Sequence, residues 1–334
     1  MEMTMRAEAD HLQQILRPLM PGPNGAPSRL VVRPIRRGSL SRVFRGDHTE
    51  DGQPVVIKVC IDPATGAPDC ANAAAYFVAM QGVKALSAQD RQIGCSTPLL
   101  LLQAQAIVVA SWIDGPTVEH VVQRGTPAEA RAAITLSGAW LAHFHLAAGL
   151  TRRTWDMQPV LGQLDAVIAT AQQAGTRMPL LLGAAEVLHR TAGLVGAIAM
   201  PWSRQHGDFK PGNLILSGDT VVAIDIDYRP PAPCIVDAAQ FLNHAALQRP
   251  WRLAREGWIG FVEAAFHAGG AQGGVVLPAL PLAWTRLHHG LRTLIHSHAW
   301  SKPPKIWVTG WYLRQLVRHL SHQLIVLETD HAGR

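Results

Sequence analysis

The stretch that decides the reading is His206-Gly207-Asp208-Phe209-Lys210-Pro211-Gly212-Asn213, followed by a second acidic cluster at Ile224-Asp225-Ile226-Asp227. Gly207, Pro211 and Gly212 speak against a helix and for a shaped loop, in which Asp208 and Asn213 lie five positions apart. Leu214-Ile215-Leu216 and Val221-Val222-Ala223-Ile224 predict two short strands, joined by the turn formers Ser217-Gly218-Asp219-Thr220. Such a hairpin returns Asp225 to the neighbourhood of Asn213, so two carboxylates and one amide oxygen converge. Hard oxygen ligands in that number suit Mg²⁺, which keeps waters and takes its remaining ligands from phosphates.

The spacing matches the catalytic loop of kinases, where an Asp ahead of an Asn orients the attacking hydroxyl and a later Asp holds the metal. With His-Gly-Asp in place of His-Arg-Asp, and Asp-Ile-Asp in place of Asp-Phe-Gly, the stretch resembles the aminoglycoside phosphotransferase and choline kinase family. The resemblance spans residues 30–250 and implies an α+β, two-lobed, protein-kinase-like fold. Residues 1–28 then form a helical extension, 29–112 a β-rich N-lobe, and 113–334 a larger helical C-lobe with the catalytic loop and acceptor cleft. The implied reaction is Mg²⁺-dependent transfer of the γ-phosphoryl group of ATP to a hydroxyl of a small molecule, of aminoglycoside, sugar or amino-alcohol type. Asp208 would orient that hydroxyl and accept its proton, and Asn213 and Asp225 would bind Mg²⁺. Lys210 either neutralises the γ-phosphate, as its counterpart does in Ser/Thr kinases, or is a solvated lysine.

Upstream, Leu30-Val31-Val32, Val43-Phe44 and Val55-Val56-Ile57 predict an antiparallel sheet with turns at Gly38 and Asp51-Gly52. The turn Arg37-Gly38-Ser39-Leu40-Ser41-Arg42 offers backbone N–H groups to phosphates at Gly38 and Ser39, or is an ordinary hairpin. Alternation in Val55-Val56-Ile57-Lys58-Val59 puts Lys58 on the face of Val56, where it must find a partner or reach solvent. The resemblance makes Lys58 the lysine that holds the α- and β-phosphates. Kinases pair that lysine with a Glu from the next helix, yet Asn72 stands at that place and no Glu occurs between Glu50 and Glu119. Either Asp69 or another acid substitutes, or Asn72 hydrogen-bonds the ammonium, or nucleotide orients it. Leu99–Leu102 and Ala106–Ala110 predict two more strands, running into Ser111-Trp112-Ile113-Asp114-Gly115-Pro116. That passage resembles the family's interlobe hinge, with Ser111 and Ile113 as its positional candidates for backbone contacts to adenine.

A chain of 334 residues exceeds one ordinary core, and with 48% apolar residues it can pack two. The net charge of +6 comes without a dense Lys/Arg run, which fits anionic ligands and argues against a nucleic-acid surface. Cys60, Cys70, Cys95 and Cys234 lack C-x-x-C spacing, and the N-terminus lacks a basic-then-apolar leader, so a reduced, cytoplasmic protein is expected. The longest apolar run, Leu99 to Ile113, is broken by Gln103 and Gln105 and is too short to span a bilayer.

Leu12, Ile15, Leu16 and Leu19 predict an opening amphipathic helix, closed by the Pro/Gly stretch Pro21 to Pro27. Thr126-Pro127-Ala128-Glu129 is a capping box that starts a helix running to Ala148, with His145 bracing the core near its end. A helical pattern follows at Leu161, Leu164, Val167 and Ile168. Asp237 opens another helix, and the resemblance gives it hydrogen bonds from the catalytic-loop backbone. From Trp251 the chain is helical and carries Trp258, Trp284, His288, His289, His296, His298, Trp300, Trp307 and Trp311, expected to line the acceptor cleft. Only nine residues separate Asp227 from Asp237, stiffened by Pro230, Pro231 and Pro233, too few for the activation segment that carries a protein substrate. The alternative to a small-molecule kinase is a nucleotide-binding pseudokinase, motivated by Asn72. The sequence leaves the oligomeric state open.

Overall fold

The computed structural model describes residues 4–20, 30–38, 40–48, 52–173, 179–249, 257–300, 314–315, 317–326 and 328–329, with the backbone alone for 296–300. Ser39, Asp51, Pro21–Pro27, Trp251, Trp307 and Trp311, and the side chains of His296, His298 and Trp300, lie outside this description. The chain divides into two compact units, Met1–Gly115 with Val222–Tyr228, and Pro116–Val221 with Arg229–Arg334.

In the first unit, β1 (Leu30–Arg37), β2 (Ser41–His48), β3 (Val55–Cys60), β4 (Pro98–Leu102) and β5 (Ile107–Ser111) form one antiparallel sheet in the order β1-β2-β3-β5-β4. The period-2 pattern of Val55–Cys60 sorts its side chains between two cores. Ile57 and Val59 are buried with Phe44 and Val109 against α1 (Met5–Leu16), whose Ala9, Leu12 and Leu16 fall on one helical face. Glu8 of that helix is 6% exposed and takes a 2.8 Å hydrogen bond from Arg42, a paired charge that fixes α1 on the sheet. Cys60, Val108 and Ala110, with Val56 beside them, face α2 (Cys70–Gln89), which contributes Ala73, Met80, Tyr76 and Phe77. Lys58 pairs in register with Val43 and Val108 and shares the α2 face.

The later segment 222–228 completes this unit, its Val222 and Ala223 pairing in parallel with Gly94 and Cys95. Asp225 and Tyr228 sit at φ 55° and 49°, the left-handed region that Asp tolerates through its short polar side chain and Tyr does not favour. Gly82 shows what holds the segment. A Cβ there would stand 2.8 Å from a Tyr228 ring carbon, so the bare glycine lets the ring lie on α2.

The second unit is helical around a small antiparallel sheet. Its strands are β6 (Thr151–Arg153), β7 (Met200–Gln205) and β8 (Arg229–Pro233), with β7 central. Pro230, Pro231 and Pro233 are tolerated because β8 is an edge strand whose missing donors cost no inner ladder. The helices are α3 (Val118–Arg124), α4 (Pro127–Ala147), α5 (Gln158–Gln173), α6 (Pro179–Ala197), α7 (Ile235–Leu247), α8 (Trp258–Gln272) and α9 (Ala279–Trp300). The capping box forms as expected: Thr126 Oγ1 accepts from Glu129 N at 3.2 Å, and Glu129 Oε2 accepts from Thr126 N at 2.6 Å. That reciprocal bond holds the Glu129 carboxyl below its ordinary range.

Helices α4 and α8 approach backbone to backbone. A Cβ at Gly269 would overlap the Thr135 carbonyl oxygen, and one at Gly138 would overlap that of Phe266. The approach seats an aromatic row, with ring centroids 5.2 Å apart for Phe144–Trp140, 5.7 Å for Trp140–Phe209, 5.3 Å for Phe209–Phe241 and 5.0 Å for Phe241–Phe266. Trp258 and Trp284 correct the expectation that tryptophans line a cleft. Both are buried, and their indole N–H groups are bonded to the Ala246 and Leu188 carbonyls. The size of the indole makes it a core filler here. Among the described residues no helix is long and apolar enough to cross a membrane.

Candidate active site

The loop after β7 is held from below by Asp237, in the first turn of α7. This 1% exposed carboxylate accepts from His206 N at 2.7 Å and Gly207 N at 3.1 Å, and His145 Nε2 lies 3.4 Å from it. Charge-assisted bonds to two consecutive amides fix the backbone, and Gly207 at φ 89° turns the chain away from the core. The buried rings of His206 and Phe209 anchor the loop against Trp140. Asp208 stands on this support with its side chain one-third exposed.

Its two oxygens are not equivalent. Among the described residues, Oδ2 receives Lys210 Nζ at 2.5 Å and Asn213 Nδ2 at 2.8 Å, whereas Oδ1 receives Gln240 Nε2 alone, at 2.8 Å. A carboxylate oxygen has two lone pairs, so Oδ2 is saturated and Oδ1 keeps one open. Burial pushes the Asp208 carboxyl up, and the Lys210 ammonium with the Asn213 amide outweighs it, so the group is held below the usual carboxylate range. Asn213, 4% exposed, gives Nδ2 to the carbonyl and Oδ2 of Asp208, and this assigns its amide orientation and turns Oδ1 to the other side. Lys210, its side chain about one-third exposed, pairs with Asp208.

In the first unit, Lys58 Nζ donates to Asp225 Oδ1 at 2.8 Å and lies 3.8 Å from the centroid of the Tyr76 ring. The Tyr76 hydroxyl donates to the same Asp225 oxygen at 3.4 Å. Burial, and then the Asp225 charge, push the Tyr76 phenol well above its ordinary value, so it remains a donor. Asn72, expected to face Lys58, is exposed instead, with its backbone N–H bonded to the Asp69 cap. Tyr76, one helical turn further along α2, stands where the acid was sought. An ammonium over an aromatic face is stabilised by the ring quadrupole without being neutralised. A search for a carboxylate could not have found it; the helical offset of Tyr76 from Asn72 was the available signal.

Other sequence candidates are placed less favourably. Gly38 donates its N–H to the Ser41 carbonyl at 2.8 Å, closing its own turn. Ser111 has its N–H on Thr97 O at 2.9 Å, and its carbonyl accepts from Ser96 Oγ at 2.6 Å, because it still belongs to β5. Ile113 lies beyond the strand end. Gln240 was not anticipated, since nothing in the spacing of a lone Gln marks it as the partner of an acid 32 residues earlier.

The fold is that of known small-molecule kinases. An amicoumacin kinase solved with AMP-PNP, Ca²⁺ and its ligand superimposes with a TM-score of 0.59 at 13% identity, covering 96% of this chain and 100% of that one. A choline/ethanolamine kinase family protein from Mesorhizobium loti gives 0.57 at 12% identity, covering 96% and 95%. A glucosamine kinase gives 0.54 at 14% identity, covering 91% and 92%. No curated protein matches the sequence. The model of the phosphotransferase enzyme family matches residues 31–288, more than half of the chain, and takes in both the Lys58 strand and the Asp208 loop, so the protein belongs to that family.

Proposed function

We propose that the protein transfers the γ-phosphoryl group of ATP to a hydroxyl of a small molecule. The observation that carries the reading is Asp208: a carboxylate kept ionised, pinned from below, with one open lone pair on Oδ1. The acceptor hydroxyl gives its proton to that oxygen as its own oxygen bonds to the γ-phosphorus, and the bond to the β–γ bridging oxygen breaks to release ADP. Lys58 holds the α- and β-phosphates, exchanging the Asp225 carboxylate for them while the Tyr76 ring keeps its ammonium in place. Because Tyr76 supplies Lys58 with a partner, the absence of a helix Glu no longer favours a pseudokinase. The Ile113 backbone takes the adenine edge.

The donor set suits Mg²⁺: Asn213 presents a buried amide oxygen and Asp225 a carboxylate, each a hard ligand. Once bound with nucleotide, the ion would neutralise phosphate charge. Asn213 and Asp225 are the residues that would hold it.

A small acceptor is supported by the chain between Asp227 and Asp237. Five of its residues, Arg229–Pro233, are strand β8 and pair with β7, so no segment is left to dock a peptide. A panel of sugars, amino alcohols, aminoglycosides and nucleosides, run beside generic protein substrates, should release ADP with a small molecule. Robust labelling of protein with no small-molecule product would refute this.

For Lys58, Tyr76→Leu removes the ring face and should raise the KM for ATP by about 2–30-fold, the scale of a cation–π contact. Tyr76→Phe keeps the face and should stay near wild type. Equal losses in both variants would transfer the role to the hydroxyl.

A further inference from the structure

The lone pair left open on Asp208 Oδ1 lies beside Gln240, and from there one surface continues. Gln240 and His244 are one turn apart on the same face of α7, and the His244 ring is 6.1 Å from that of His289 on α9. All three side chains are half-buried. His289 in turn shares a helix face with Arg292, three residues on. Arg292 is exposed and makes no ion pair among the described residues.

The charges along this surface are uneven. Among the described residues, those that act on His244 and His289 include one carboxylate, Asp208, already paired with Lys210; against it stand Lys210 and Arg292. Burial first, then the neighbouring Lys210 charge, lower the His244 imidazole, and burial with His244, His288 and Arg292 brings His289 down to about 4. Both rings are therefore neutral near pH 7 and can donate or accept, but offer no negative charge. Asp237 lies under the loop, Glu263 pairs with Arg286 and Glu129 closes its cap, while Glu119 of α3 stands beside Gly212 of the loop. Along Gln240, His244 and His289 a cationic acceptor would meet the charges of Lys210 and Arg292, whereas an anionic one finds neutral hydrogen-bonding rings and then a guanidinium.

We propose, building on the phosphotransferase reading above, that the acceptor is a hydroxyl compound bearing an anionic oxygen group, lying along Gln240, His244 and His289 with its charge on Arg292. The test uses two frames, each in three charge states: glucuronate, glucose and glucosamine, and glycerate, glycerol and 3-amino-1,2-propanediol. ADP release with purified enzyme and ATP should rank carboxylate above neutral above amine in kcat/KM within at least one frame. Arg292→Glu should raise the KM for the carboxylate by about 10–100-fold, the scale of a lost charge-assisted hydrogen bond, and leave the KM for ATP unaltered. Preference for the amine, or an order unmoved by Arg292→Glu, overturns the assignment. So does turnover of none of the six. In that case, activity with other members of the wider panel leaves the phosphotransferase reading standing, and inactivity throughout, with nucleotide bound, removes it too.

Discussion

Asp208→Asn should lower turnover by about 10²–10⁴ while Mg²⁺-nucleotide affinity stays within a few-fold, the scale expected when a positioned proton acceptor is lost. The amide keeps the shape of the carboxylate and cannot take the hydroxyl proton. It also meets three donors, Lys210, Asn213 and Gln240, with one acceptor oxygen where two stood. Single-turnover kinetics beside calorimetric nucleotide titration separates chemistry from binding, and wild-type turnover in the variant would sink the role. The ionised carboxylate has a stability consequence of known sign. Its folded pKa lies below the unfolded value, so its contribution is present above the ordinary Asp range and is lost as pH falls through the depressed value. The variant should accordingly lose more thermal stability relative to wild type at neutral pH than in acid.

Replacing Asp225 should abolish the Mg²⁺ dependence of nucleotide binding with the fold retained. The carboxylate accepts from Lys58 at 2.8 Å and Tyr76 at 3.4 Å, and its negative charge is what would attract a divalent ion. Asp225→Ala also places an alanine at φ 55°, a strain of about 1–2 kcal/mol, so Asp225→Asn, which tolerates that backbone, is the paired control. Calorimetry with and without Mg²⁺ reads both. If the metal dependence is unchanged in both variants, Asp227 or another group is the ligand.

Much of the local chemistry was legible in the chain because it depends on neighbours in sequence. The loop from His206 to Asn213 carries its own turn residues, and its internal hydrogen bonds join positions two to five apart. The hairpin that follows appears as Leu214–Ser217 and Thr220–Ala223, and the Thr126 box caps its helix, each a short-range device. Alternation also placed Lys58 on the correct face of its strand.

What the sequence by itself determined, then, is the loop, the strand pattern and the identity of the residues that carry charge, because propensity and turn chemistry act within a few residues. The tertiary structure alone decided who meets whom. Tyr76 and Asp225 are 149 residues apart, and Gln240 reaches Asp208 across 32. The Trp258 and Trp284 indoles fill a core and do not line a cleft, because their burial depends on how helices approach, and backbone contacts at Gly138 and Gly269 govern part of that approach. Pairings of this kind rest on packing and on satisfying buried polar groups, which depend on every element at once and leave no periodic trace in any one of them.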